Sequence, residues 1–400
     1  MSKINDLIKK INLPNNVKEY TIGDICEVTR GRVISKNELA ENAGKYPVYS
    51  SQTLNDGVFG KINTYDYEGE YVQWTTDGAN AGSIFYRNGK FSVTNVCGLL
   101  KVKDKYLKEI KTDYLAYLLS IESKKYVNYS TSNPKLMSNV MSKITILIPT
   151  MNIQEEIVEI LDKFGELEAE LEAELEERKQ QYDYYKMQFF ENIENVKYKH
   201  ITDIASVKAR VGWQRLTKSE YLQKGDYYLI TGTDFQTDGH INFESCVYVT
   251  EERYNMDENI QIHKNDILIT KDGTLGKVAI IEQEPNKPTT LNSGVFRIHI
   301  TTKDILPRYI YHYFTSKYFR NFVESVKTGS TIPHLTQQGL VTLNIPIPTI
   351  KEQERIINVL DKFNKLVNDL SEGLPAEIEL RKKQYEYYRN KLLNFKEVIV

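Results

Sequence analysis

The chain has 400 residues, 40% of them hydrophobic and 26% charged, with a formal net charge of −2. Two or three domains are expected at that length, and with no apolar run of ~18 residues a transmembrane helix is excluded. The opening MSKINDLIKK has no apolar core, so a secretory signal is not expected. Cys26, Cys97 and Cys246 are far apart and odd in number, and the six histidines, all at or beyond His200, share no metal-ligand spacing. Neither a disulfide framework nor a metal site is expected, and a reducing, cytoplasmic compartment is. The near-zero charge hides a pattern: residues 1–150 hold 20 basic against 15 acidic side chains, whereas 151–192 hold 4 against 13. One short segment carries the acid, so the total does not exclude a nucleic-acid partner.

In chain order, the first 150 residues mix strand and helix signals. Arg30-Gly31-Arg32 and Lys36 form an early basic cluster. Tyr71-Val72-Gln73-Trp74 reads as a strand, Asp77-Gly78 as a tight turn and 114–120 as a short amphipathic helix. Apolar or aromatic side chains then recur at 157, 160, 164, 167, 171, 175, 182, 185 and 189, with the stem of Arg178 filling one further place. Steps of three and four predict one helix over about 153–192, roughly 60 Å long at ~1.5 Å per residue. Its flank holds Glu166, Glu168, Glu170, Glu172, Glu174, Glu176 and Glu177, a solvated acidic face.

Residues 193–344 return to mixed signals. Lys208, Arg210, Trp213, Gln214, Arg215 and Lys218 cluster early; Asp266-Ile267-Leu268-Ile269-Thr270 and Gly294-Val295-Phe296-Arg297-Ile298 read as strands, Asp272-Gly273 as a turn and 309–315 as a short helix. Trp74 and Trp213 are expected in the core. From 356 the seam recurs at 359, 363, 366, 370, 374, 378, 381, 385, 388 and 392, and a helix break is expected at Gly373-Leu374-Pro375, because proline lacks the amide donor and fits best at a helix start.

This order is an internal repeat. Ile148-Pro149-Thr150…Gln154-Glu155…Leu161-Asp162-Lys163-Phe164 recurs 199 residues later as Ile347-Pro348-Thr349…Gln353-Glu354…Leu360-Asp361-Lys362-Phe363. Arg178-Lys179…Gln181-Tyr182…Tyr184-Tyr185 recurs 203 residues later as Arg381-Lys382…Gln384-Tyr385…Tyr387-Tyr388, so about one helical turn is inserted in the second copy. More loosely, Thr76-Asp77-Gly78…Gly82 aligns with Lys271-Asp272-Gly273…Gly276, and Pro134-Lys135-Leu136 with Pro333-His334-Leu335. Each helix has a narrow apolar stripe that it cannot bury alone. The economical solution packs the two stripes antiparallel; the alternative folds each helix back on its own domain.

No catalytic pattern emerges. A dinucleotide or phosphate-binding glycine loop, an amino-methyltransferase tetrad and a GxSxG nucleophile are absent. Glu109-Ile110-Lys111 and Glu122-Ser123-Lys124 have nuclease-like spacing, but neither follows a fitting aspartate on a strand. The chemistry that remains suits DNA: Arg and Lys for phosphates and guanine edges, Asn and Gln for adenine. The candidate contacts in the first half are Arg30, Arg32, Lys36, Gln52, Thr76, Asn80 and Lys135. Those in the second are Arg210, Gln214, Arg215, Lys218, Lys271, Thr274, Lys277, Asn292, Ser330, Thr331 and His334. Phe164, Tyr182, Tyr185, Phe363, Tyr385 and Tyr388 are candidates for the helix interface. Tyr184 and Tyr387 fall off the seam and are either plain surface or partner contacts.

Ile345-Pro346-Ile347-Pro348-Thr349…Glu352-Gln353-Glu354-Arg355-Ile356, the run from Gly373-Leu374-Pro375-Ala376-Glu377 to Tyr387-Tyr388, Gly329-Ser330-Thr331-Ile332-Pro333-His334-Leu335 and Val211-Gly212-Trp213…Ser219-Glu220-Tyr221 together carry a resemblance. Over nearly its whole length the chain resembles the specificity (S) subunit of bacterial type I restriction–modification systems. That resemblance implies a mixed α/β (α+β) fold with a pseudo-two-fold repeat: target-recognition domains at 1–150 and 196–345, and antiparallel spacer helices at 151–195 and 346–400. It implies an asymmetric bipartite DNA site, two methyltransferase (M) subunits, restriction (R) subunits and no catalytic residue in this chain. S-adenosylmethionine would then bind the M subunit, and ATP and magnesium the R subunit. The first copy departs from the pattern in lacking the Gly-Leu-Pro break. The competing readings are a self-contained DNA methyltransferase or nuclease, and a helical scaffold that binds no DNA.

Overall fold

A computed structural model describes every residue except 1, 12–16, 131, 192, 194–195, 213–214, 330–332, 370 and 395–400. The chain divides into two compact units, Met1–Ala169 with Leu380–Val400, and Glu170–Glu379.

In the first unit the strands are β1 (Val17–Thr21), β2 (Cys26–Arg30), β3 (Ala43–Tyr49), β4 (Val58–Ile62), β5 (Tyr67–Thr75), β6 (Ile84–Val93), β7 (Cys97–Val102) and β8 (Thr145–Pro149). Six of them form one sheet in the order β2-β7-β5-β6-β3-β4, antiparallel except where β3 meets β6, while β1 pairs separately with β8. The expected strand at Tyr71–Trp74 is the buried stretch of β5. Val72 and Trp74 join one core, Tyr71 joins another on the opposite face, and the period of two explains the split. The Trp74 ring lies so close to Gly98 that a Cβ there would come within 2.1 Å, and its indole N–H donates to the Leu136 carbonyl at 2.9 Å. The larger core also takes in helix α1 (Ser2–Ile11), which periodicity had not singled out, and α2 (Thr112–Glu122), where a short helix was expected.

In the second unit the strands are β9 (Lys197–His200), β10 (Ala205–Ala209), β11 (Tyr227–Ile230), β12 (Val247–Val249), β13 (Ile267–Thr270), β14 (Val278–Ile280), β15 (Thr289–Leu291), β16 (Val295–Ile300) and β17 (Asn344–Ile347). They form a four-stranded sheet β10-β16-β13-β14, a three-stranded sheet β12-β11-β15 and the pair β17-β9. Strand β13 is buried on both faces: Ile267 and Ile269 pack in one core, Leu268 in the other.

Helix α3 (Met151–Glu191) is one element of 41 residues, about 60 Å of helix, and runs from the first unit into the second. Its buried positions lie near its two ends, at Ile153, Gln154, Ile157, Val158 and Leu161 and again at Tyr182, Lys186 and Phe190. None of 162–181 is buried, as the acidic flank requires. After it come α4 (Pro307–Phe314), α5 (Lys317–Val326), α6 (Ile350–Asn368) and α7 (Leu374–Leu393). The break falls where expected. Gly373 sits where a Cβ would come within 2.6 Å of the Lys365 carbonyl, and Pro375 occupies the first turn of α7.

The stripes pair. In the first unit Phe164 stacks on Tyr388 with ring centroids 5.8 Å apart and touches Tyr385, and Glu168 pairs with Lys382 at 3.5 Å. In the second, Tyr182 and Tyr185 pack on Phe363, and the Tyr182 hydroxyl donates to Asn364 at 3.2 Å. Within each unit the residue numbers run in opposite senses, so the segments are antiparallel. Tyr184 and Tyr387 are 59% and 53% exposed.

The repeat extends to the hydrogen bonds. Gln154 Nε2 donates to the carbonyls of Glu109 and Pro149 while its oxygen accepts from Lys111 N; Gln353 Nε2 donates to Asp304 and Pro348 while its oxygen accepts from Leu306 N. Both amides are fully buried, and each ties the start of a spacer helix to the loop before a domain helix. Gln154→Ala or Gln353→Ala strands three partners and is expected to cost about 2–3 kcal/mol in chemical unfolding; a loss under 0.5 kcal/mol would show that the clamp is decorative.

Candidate nucleic-acid interface

Two equivalent turns organise the candidate site. In the first unit β5 runs into the turn at 76–82, where Gly78 and Gly82 take positive φ. Thr76 N donates to Val96 O, Leu136 N donates to Thr76 O, and Asp77 bridges to Lys135. In the second unit β13 runs into the turn at 271–277, with Gly273 and Gly276 at positive φ. Lys271 N donates to Gly294 O, Leu335 N donates to Lys271 O, and Asp272 bridges to His334. The same backbone bonds hold both turns, so each projects its tip from the end of a buried strand.

Around the first turn, the Arg30 guanidinium donates to Thr76 Oγ1 at 3.0 Å and to the Asn95 carbonyl at 2.7 Å. Asn80 Nδ2 donates to the Ser51 carbonyl at 3.0 Å, which ties the turn to the loop after β3. Gln52 in that loop donates to the Val58 carbonyl. Buried Arg87 lies 3.6 Å from the Tyr49 ring centroid and holds both the side chain and the carbonyl of Asp56. Asn55 and Asp56 are thereby kept in the left-handed region, and Leu54 stands 83% exposed. Arg30, Gln52, Asn80 and Lys135 thus gather at one turn. Arg32, paired with Glu38 and Asp66, and exposed Lys36 lie on the neighbouring segment.

Around the second turn a cleft of about 540 Å³ is lined by Lys218, Thr274, Lys277 and Asn292 among the expected residues. Asn292 Oδ1 accepts from Gly294 N at 2.9 Å, which fixes the amide's orientation. His334 Nδ1 is 2.6 Å from Asp272 Oδ1, and Lys271 reaches over the Phe296 ring. Arg215 is exposed nearby in sequence but does not line the cleft. Gln214, Ser330 and Thr331, with Trp213, lie outside the described residues.

Two expected contacts are corrected by burial. Thr76 is inaccessible, accepting from Arg30 and donating to Asp77. Arg210 is 2% exposed and donates to the Leu291 carbonyl and to Thr290. Both support the surface from beneath. The reading of the residues also missed Thr231, Thr233 and Asp234, which line the cleft from the loop after β11, where only a short polar turn marks them. Asp234 is buried and orders that loop by accepting from Thr231 N and from Ser245 Oγ.

Beneath the second site, charged groups tie the domain helix to α6. His312 Nε2 lies 2.6 Å from Asp361 Oδ1, and Arg308 Nε donates to the same oxygen at 2.8 Å. Burial pushes the His312 imidazole down to about 4, against the pull of Asp361. Burial would raise Asp361, but the hydrogen bond from His312 and the charge of Arg308 leave its pKa lowered. The first unit answers with a single hydrogen bond, Tyr117 donating to the Asp162 carboxylate at 2.6 Å. Among the described residues no group of three or more His, Cys, Asp or Glu side chains is placed to hold a metal ion, and no helix is long and apolar enough to cross a membrane.

A family model described as the type I restriction modification DNA specificity domain matches the chain twice, over residues 14–177 and 193–380. A Mycoplasma pneumoniae protein carrying the name type I specificity subunit S.MpnORF507P is 33% identical over 386 residues, covering 95% of this chain and 98% of its own. The specificity subunit of the type I restriction enzyme MpnII from that organism is 44% identical over 197 residues, 48% of this chain and 58% of its own. Among solved structures, the S subunit of a type I system from M. genitalium superposes with a TM-score of 0.58 at 16% identity, covering 96% of this chain and 97% of its own. A chain from a study of assembly and conformational transition of the type I system gives 0.60 at 14%, covering 96% and 99%. The two structures speak for the fold.

The buried histidine makes a pH prediction. His312 is neutral when folded, with its pKa below the unfolded ~6.5, so its stabilising effect is present above pH ~6.5 and is lost as pH falls toward about 4. The second unit is expected to lose on the order of 3 kcal/mol through this group across that interval. Thermal melts of wild type and His312→Gln should show a shallower acid slope in the variant; parallel slopes would disprove the assignment.

Proposed function

Because the chain belongs to the type I restriction–modification DNA specificity family, and is therefore a DNA-recognition subunit, we propose that each recognition fold reads one half of a split duplex site and that the helices set the distance between the halves. The observation that carries this reading is the recurrence of one turn, with the same backbone bonds, at the end of β5 and of β13. Two similar readers at a set separation suit a bipartite site whose gap is a matter of geometry. Lysine and arginine around each turn contact phosphates and give salt-dependent affinity, while Asn80 and Asn292 offer amides to base edges. Differences between the two surroundings make the two half-sites different.

The chain itself carries out no catalytic step in this reading. Two methyltransferase subunits dock along the helices, where the exposed rings of Tyr184 and Tyr387 supply apolar bodies with polar tips, and restriction subunits join that core. S-adenosylmethionine binds the methyltransferase partner, which extrudes its target base from the stack; ATP and magnesium serve the restriction partner. The setting is the cytoplasm, where genomic DNA is at hand.

Insertion of four residues near Glu172 lengthens α3 by ~6 Å. Mapping of methylated bases in cells carrying the variant and its methyltransferase partner should then show a gap longer by one or two base pairs with both half-sites unchanged. An unaltered gap would falsify the ruler. Purified chain alone, given S-adenosylmethionine and DNA, is expected to show no methyl transfer; turnover would make it an enzyme in its own right.

A further inference from the structure

Within the second unit a separate cleft of about 440 Å³ opens where the C-terminal part of α3 faces the recognition fold. Four cationic side chains line it, Lys179, Lys186, Lys277 and Arg320, against one carboxylate, Asp183, which lies 3.8 Å from Arg320. Lys186 is the unusual member. It is 5% exposed, its ammonium donates to the neutral Thr315 hydroxyl at 3.0 Å, and it stands 3.9 Å over the Tyr182 ring. Among the described residues no carboxylate forms an ion pair with it. A buried ammonium in that setting is penalised unless an anion joins it, and burial brings Lys186 down to about 7.

Two further observations say which anion. Lys277 lines this cleft and also the reading cleft on the other side of the 271–277 turn, so an anion here lies next to the surface that meets the bases. The arrangement also recurs: Tyr182 and Lys186, four residues apart, correspond to Tyr385 and Arg389 in the first unit. There the Arg389 guanidinium lies 5.4 Å from the Tyr385 ring, and its buried Nε has no hydrogen-bond partner among the described residues. A cation is thus placed in each unit on the helix face that supports the reader, where base reading has no use for it.

We propose that this cleft seats a backbone phosphate of the bound duplex, with Lys186 on its floor and Lys277 and Arg320 at its sides, so that the spacer helix itself grips the DNA beside the half-site. The inference rests on the DNA-recognition reading and adds to it a contact that is blind to sequence. A phosphodiester supplies one negative charge and free acceptor oxygens, which is what the lysine lacks.

The test uses the full chain in complex with its methyltransferase partner. Lys186→Met keeps the length and apolar stem of a buried side chain and removes the charge, so the fold is retained, as a thermal melt will verify. The variant is expected to bind site-bearing and unrelated duplexes several-fold more weakly, to lose about 0.9 from the slope of log K against log salt, and to methylate the same sequence. A second arm steps a single uncharged methylphosphonate along the duplex. One position should weaken the wild type and leave Lys186→Met unaffected. The proposal fails if the variant equals wild type in affinity and slope, or if no methylphosphonate position depends on Lys186; weaker binding without such a position means that a partner protein fills the cleft. A wild-type complex with no salt-sensitive DNA binding sinks the recognition reading, and this inference with it. DNA binding that is intact but indifferent to Lys186 sinks the inference alone.

Discussion

An apolar stripe too narrow to be buried by its own helix is the constraint on which the structure depends. On α3 the stripe is one side chain wide, and seven glutamates flank it between 166 and 177. Its ends are buried against the domain cores, and beyond them it finds cover against a second stripe of the same kind. The aromatic rings that carry it, Phe164 against Tyr385 and Tyr388 and Tyr182 with Tyr185 against Phe363, therefore mark where each unit binds its two helical segments. Each recognition fold is fastened in turn by a buried end of α3 and by its own glutamine clamp.

The two units reach similar ends by different chemistry. Where the second ties its domain helix to α6 through His312, Arg308 and Asp361, the first uses one tyrosine–aspartate bond. The first reader is one six-stranded sheet; the second divides its strands between smaller sheets. What is kept is the backbone pattern of the projecting turn and the amide clamp below it. The side chains around the two turns differ as well, which suits a pair of readers on a common scaffold.

Much of this was legible in the residues. Period-seven spacing located α3 to within two residues, the Gly-Leu-Pro run located the break, and the shifted repeat aligned the two turns and set Gln154 opposite Gln353. These are local or periodic signals, and they survive in one dimension because helix pitch and turn geometry are properties of short stretches. The candidate interface was legible in part. Lys218, Thr274, Lys277 and Asn292 line one cleft, but Thr76 and Arg210 are buried supports, and Thr231, Thr233 and Asp234 carried no mark beyond a polar turn.

The sequence by itself determined that there are two similar halves, that one long acidic helix follows the first, and that the polar groups at the turns suit DNA. Only the tertiary structure decided which cations face solvent and which are enclosed. Burial is set by what the rest of the chain brings alongside. Lys186 reads as one more charge on a charged helix until α4 and the recognition fold close over it. The same polar residue is a contact on a surface and a brace beneath it, and the difference lies in neighbours remote along the chain.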